Sequence, residues 1–190
     1  MTLVSSFTVG SIRCHLLEGG SQRLDGGAMF GVVPKPLWEK RIAPDERNRI
    51  PLALRCLLVE HADGLVLVDT GIGNKESAKF KDIYGVENDG RVGPTQLEDA
   101  LREAGYGPEE VRWVINTHLH FDHGGGNTKA VGGGGQRRAA EGGELGEADR
   151  QTVRPPDRPL FPCPNATYVV QRGELECARR ANERTRASYF

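Results

Sequence analysis

Thr117-His118-Leu119-His120-Phe121-Asp122-His123-Gly124-Gly125 gathers three of the chain's five histidines, with an aspartate among them, into six residues. Neutral imidazoles and a carboxylate are the donors preferred by a borderline-soft divalent ion such as zinc. His118 and His120 are two apart, so in extended backbone they project to one side. Asp122 and His123 follow the bend and can reach a second point in space. The spacing predicts two half-sites for two metals at the end of a strand. An incidental histidine cluster on a solvated loop would explain the imidazoles, but not the joint agreement of donor type, spacing and strand-then-glycine setting.

The elements around this run must place it. Val111-Arg112-Trp113-Val114-Ile115-Asn116 is an apolar, strand-like segment leading straight into the histidines. Ala53 to Val59 and Leu65 to Asp69 read as two strands joined by the turn His61-Ala62-Asp63-Gly64, since Asp-Gly between apolar runs is a hairpin signal. Their nearly continuous hydrophobicity predicts burial on both faces. The second of them ends in Asp69-Thr70-Gly71. A carboxylate at the mouth of a buried strand needs partners. It either caps the following segment or holds a ligand histidine in the correct tautomer. Thr95 as N-cap and Glu98 three residues on predict a capped helix, with Leu97, Ala100, Leu101 and Ala104 at helical spacing and Gly105 as its stop. Strand, strand, helix, strand and metal loop in that order indicate a mixed α/β layer structure with the site at strand ends.

Upstream, Phe7 to Leu17 leans towards β structure. Asp25 to Trp38 reads as a Gly/Pro-rich loop carrying Met29, Phe30, Val32, Val33 and Trp38. It is either tucked onto the core or forms a wall over a substrate pocket. Downstream, residues 129–159 hold a run of four glycines and hardly an apolar side chain, a composition that predicts a disordered insertion. Ala166 to Gln171 then reads as a strand and Glu174 to Ala187 as a helix.

At 190 residues the chain has room for one packed domain, and its net charge of −1 supplies no field for nucleic acid or an anionic membrane. Cys14, Cys56, Cys163 and Cys177 are scattered and form no Cys-x-x-Cys pair, which argues against a sulfur metal site or a disulfide framework. With no basic leader before a long apolar run and no stretch long enough to span a bilayer, a cytoplasmic protein is expected.

Asp69-Thr70-Gly71 together with His118-x-His120-x-Asp122-His123 resembles the metallo-β-lactamase superfamily. The segments Asp25 to Trp38, Tyr168 to Glu174 and Glu183 to Tyr189 look like its quorum-quenching lactonase-like branch. The resemblance covers nearly the whole chain outside the insertion. It implies an αββα sandwich (α+β) with two zinc ions at the edge of the sheets. His118 and His120 would bind the first ion, and Asp122 and His123 the second, with Asp69 orienting a ligand from behind. A hydroxide between the ions would attack the carbonyl of a lactone or ester. Asp122 would also be catalytic, passing a proton to the leaving alkoxide. Met29 and Phe30 would line an apolar pocket for an acyl chain. Thioester hydrolysis of the glyoxalase II type, or phosphotriester hydrolysis, is the alternative chemistry.

The resemblance also implies further ligands, and here no histidine follows His123 and no aspartate follows Asp157. His15, in a strand-like run, and His61, in the turn, are expected to be structural or exposed rather than replacement ligands. Each half-site therefore has two ligands where a catalytic zinc takes three. The expectation is a partial domain over 1–190, incomplete at its C-terminus, weak in metal binding and inactive by itself. A different class of function follows from an unfinished sheet, namely a non-catalytic fragment that self-associates as a homodimer.

Overall fold

The computed structural model describes residues 2–129, 162–183 and 185–189. The insertion expected at 129–159 lies outside these apart from Lys129. Six strands form one sheet in sequence order: β1 (Val4–Val9), β2 (Ile12–Asp25), β3 (Arg49–His61), β4 (Gly64–Val68), β5 (Val111–Asn116) and β6 (Thr167–Val170). The first four pair antiparallel, whereas β4 with β5 and β5 with β6 run parallel. The helices are α1 (Gly26–Phe30), α2 (Lys35–Trp38), α3 (Ala78–Tyr84), α4 (Gln96–Glu103), α5 (Phe121–Gly124) and α6 (Arg172–Arg179). The mixed α/β architecture is as expected, with one sheet among the described residues.

β2 is the long strand that ties the layer together. Its register with β3 slips between Glu18 and Ser21, at Gly19-Gly20. Gly20 has a φ of 115°, and a Cβ there would lie 2.6 Å from the Asn88 Cβ, so the bulge requires a residue without a side chain. Beyond it, Ser21 bridges to Glu87, and the strand continues towards the histidine motif.

The core lies between the sheet and α4. The capping box forms as expected, with the Glu98 N–H bonded to Thr95 Oγ1 and the Thr95 N–H to the Glu98 carboxylate. Leu97, Ala100 and Leu101 pack against Leu17, Leu58, Leu67, Val111 and Val114. Leu58, Leu67 and Val111 are all but inaccessible, and burying such a side chain is worth about 1.5–3 kcal/mol. A second cluster joins Leu54, Ile72, Val86 and Phe121, with Phe80 and Tyr84 packed on it. The Phe121 ring stands 5.2 Å from Phe80 and 4.9 Å from Tyr84, which fixes the first residue of α5 and hence the residues beside it.

Several expectations are corrected. Phe7 to Leu17 spans two strands, because Gly10, with a φ of 62°, turns the chain back between Val9 and Ile12. Asp25 to Trp38 is not one loop: the Asp25 carboxylate accepts the Ala28 N–H to start α1, and Pro36 sits in the first turn of α2. α3, capped by Ser77 and closed by left-handed Gly85, had not been expected. The last helix stops at Arg179 rather than Ala187, with a separate 3₁₀ turn at Arg186–Ser188. β3 alternates between buried and accessible positions, so one of its faces only is buried. Ile115 and Val169 on β5 and β6 are each 40% exposed. All four cysteines are free, with Cys177 alone exposed. Among the described residues no helix is long and apolar enough to cross a membrane.

Candidate metal centre

Parallel pairing of β4 and β5, with Val68 opposite Ile115, puts the ends of both strands at one edge of the sheet. Asp69 leaves β4 there and Thr117-His118 leaves β5. Crevices beyond the carboxyl ends of parallel strands are where ligand sites form. Asp69 adopts a φ of 61°, an uncommon left-handed conformation for a residue other than glycine. The turn aims its carboxylate across at β5. Asp69 Oδ1 accepts the Thr117 N–H at 2.8 Å, and Oδ2 accepts the Thr117 hydroxyl at 2.8 Å.

Asp69 Oδ2 also lies 2.8 Å from His123 Nδ1. A carboxylate only accepts, so His123 carries its proton on Nδ1 and leaves Nε2 open. The bond holds the His123 pKa above its ordinary value. Burial pushes the Asp69 carboxyl upward, but His123 and Thr117 outweigh it and the group stays ionised below its ordinary range. The Thr117 hydroxyl is committed to Asp69, so its oxygen receives the His118 Nδ1–H at 3.1 Å and His118 Nε2 is open as well. Burial, then the neighbouring His123 and His120, keep His118 below its ordinary pKa and therefore neutral.

The result is a cluster in which one donor atom each of His118, Asp122 and His123 lie within 4.8 Å of one another. Donors on a single tetrahedral zinc, at about 2.1 Å, stand about 3.4 Å apart, so modest side-chain rotations would close this group on an ion. Two imidazoles and a carboxylate fit zinc in type. His120 is not in the group: its ring stands 4.6 Å from His118 and 5.1 Å from Tyr189. The four expected ligands thus share one place, three converging and one beside them. Asp69 lies against His123 Nδ1 and caps none of the described helices. The Phe30 ring stacks on Trp38 at 5.0 Å, and Met29 is 48% exposed.

The loop is held by residues that sequence reasoning did not single out for the site. Gln22 Nε2 donates to Asp122 Oδ2 at 2.8 Å. Glu174 of α6 accepts the Leu119 N–H at 2.9 Å, and Lys75 Nζ bonds the Gly125 carbonyl at 2.7 Å. Thr70, Asn116 and Asn127 form a connected set beneath α5. Gly125 is forced by close approach, since a Cβ would lie 2.7 Å from the Ile72 carbonyl oxygen. His15 and His61 take no part: His15 is buried with both nitrogens bonded, and His61 is exposed at the end of β3.

Comparison with known proteins agrees with this geometry. Residues 50–156 match the model of the metallo-beta-lactamase superfamily. An N-acyl homoserine lactonase of Bacillus sp is 36% identical over 134 residues, covering 67% of this chain and 50% of the relative. A probable metallo-hydrolase of Mycobacterium tuberculosis is 36% identical over 118 residues, covering 56% of this chain and 38% of the relative. The chain thus spans half or less of the length of these relatives. Among solved structures, a probable metal-dependent hydrolase from Staphylococcus aureus superposes over 97% of this chain and 55% of its own, with a TM-score of 0.74 and 31% identity. AidC, a dizinc quorum-quenching lactonase, shares the fold at a TM-score of 0.61 and 18% identity, over 94% of this chain and 48% of its own. A family match over more than half of the residues, centred on strands and a donor cluster arranged as described, establishes that this chain belongs to the metallo-β-lactamase superfamily.

Proposed function

We propose that this chain carries the first part of a dizinc site for hydrolysing lactones or related esters, acyl-homoserine lactones first among them. The observation that carries the reading is the convergence of one donor atom each of His118 and His123 with the Asp122 carboxylate at the ends of two parallel strands. The curated relatives named as N-acyl homoserine lactonases support the choice of substrate. His118 and His120 would hold one ion, and Asp122 and His123 the other. When bound, such ions supply a Lewis acid for the carbonyl and a water acidic enough to deprotonate near neutral pH.

The chain's own residues do the rest. Asp69 holds His123 in the Nδ1–H tautomer, and Thr117 does the same for His118, so neither ring needs to change tautomer to present its donor. Asp122, beside the donors and partly buried, would take the proton released by the attacking water and hand it to the departing alkoxide. Met29 is exposed and apolar, and would meet an acyl chain together with Phe30.

Zinc uptake by metal-free protein, compared with a His118→Ala/His120→Ala variant, tests the site. Uptake lost in the variant is expected. Uptake unchanged by it would remove the site. A hydrolysis panel of acyl-homoserine lactones, thioesters and phosphotriesters tests the chemistry. The described residues supply two ligands per ion, so the expected rate for the 190-residue chain is small. The expected order nonetheless places lactones first, with loss in His118→Ala. A thioester or phosphotriester ranking first would replace the lactone reading.

A further inference from the structure

Asp122 receives a bond from a residue 100 positions earlier in the chain, Gln22 of β2. Gln22 is 1% exposed, and its Oε1 has no partner among the described residues. The amide cannot be turned over to relieve this. An ionised Asp122 only accepts, and reversal would set the Gln22 Oε1 against a carboxylate oxygen. A buried amide satisfied on one side is worse for stability than an apolar side chain of the same shape. Leucine or methionine would fill this place in the sheet at less cost. The β2 bulge at Gly19-Gly20 lies two residues before Gln22, and such bulges re-aim the side chains that follow.

What the bond does is visible in the neighbouring geometry. Asp122 Oδ2 stands 3.7 Å from His123 Nε2, just beyond hydrogen-bonding distance. With the His123 proton on Nδ1, both of these atoms are acceptors, so His123 does nothing to fix the Asp122 carboxylate and the Gln22 amide is the bond that does. We infer that Gln22 is a positioning residue: its Nε2–H fixes the rotamer of the Asp122 carboxylate and so keeps that ligand aimed at the place of an ion. The inference rests on the metal-site reading proposed above.

The test uses Gln22→Leu and Gln22→Met in the full chain, with wild type and His118→Ala as references. Two quantities are read: zinc affinity, by titrating metal-free protein calorimetrically, and the thermal midpoint of the metal-free form. The expected result is zinc affinity ten- to hundredfold weaker in both Gln22 variants, with a thermal midpoint equal to or above wild type. Wild-type affinity in the Gln22 variants, alongside loss in His118→Ala, would overturn the role of Gln22 and leave the site standing. Lower midpoints in both Gln22 variants, with or without weaker zinc binding, would make the residue structural and also overturn it. Should Gln22→Leu fail to fold, Gln22→Met, closer to glutamine in length and flexibility, decides by the same two readings. A wild-type chain that takes up no zinc would overturn both readings together.

Discussion

His15 and His123 each lie against a carboxylate at nearly the same distance, 2.7 Å to Glu60 and 2.8 Å to Asp69. Their surroundings make different things of them. His15 is 2% exposed, and its other nitrogen accepts from the Ser6 hydroxyl at 2.8 Å. Glu60 takes a further bond from the Tyr106 hydroxyl at 2.8 Å. The ring thus stitches β1, β2 and β3 together and keeps no donor atom free. His123 commits one nitrogen to Asp69 and turns the other towards His118 and Asp122. A carboxylate on one side of an imidazole prepares a ligand; partners on both sides make a structural crosslink.

That contrast can be broken at either end. The largest expected effect is on metal, in Asp69→Asn. Asparagine tolerates the left-handed backbone at this position, so the fold should persist. Asn Oδ1 can still accept, but its NH₂ offers Thr117 and His123 a donor where they need an acceptor. Zinc affinity should fall ten- to hundredfold, measured by titration against a competing chelator. An unchanged affinity would remove Asp69 from the site. His15→Ala should behave in the opposite way. It opens a buried hole and strips Glu60 of a donor, so unfolding in denaturant should show about 1–3 kcal/mol less stability. Zinc binding in this variant should match wild type, and a loss there would mean that the two regions are coupled.

The smallest effect is a pH dependence at Glu60. Bonds from His15 and then Tyr106 hold its carboxyl below the ordinary 4.5. A carboxyl whose folded pKa is depressed adds stability that is complete above its unfolded value and is lost as pH falls through the folded one. Wild type should therefore be more stable than Glu60→Gln at neutral pH, and the gap should close below about pH 4.5. A gap that persists in acid would assign the stabilisation to shape rather than charge.

The residues that were legible in sequence were those whose partners are local. His118, His120, Asp122 and His123 sit in one short run, and α4 announced itself through Thr95 and Glu98, because caps and periodicity act within a turn or two. Asp69 was legible by its place at the end of an apolar strand. Gln22 was not, since its partner is 100 residues away and a lone glutamine in a strand carries no pattern. α1 and α2 were hidden by the glycines and prolines that also begin them, and α3, though capped by Ser77 and Gly85, is short. His120 matched the expected motif in sequence, yet in space its ring packs beside Tyr189. Spacing fixes the side a residue faces and not its final rotamer.

The parallel pairing of β4 with β5 has a consequence for how this molecule comes into being. The chain must run from Val68 to Val111 before the two strands can meet. Closing such a span is entropically slow, and parallel pairing of distant strands is among the later events of folding. Asp69 cannot reach Thr117 and His123 until that closure, nor can Gln22 reach Asp122 until β2 is in place. An ion met earlier would find only the flexible run His118 to His123, a peptide ligand of ordinary affinity. The pre-set tautomers and the restrained carboxylate exist only in the finished sheet, so tight capture of metal would report completed folding rather than begin it.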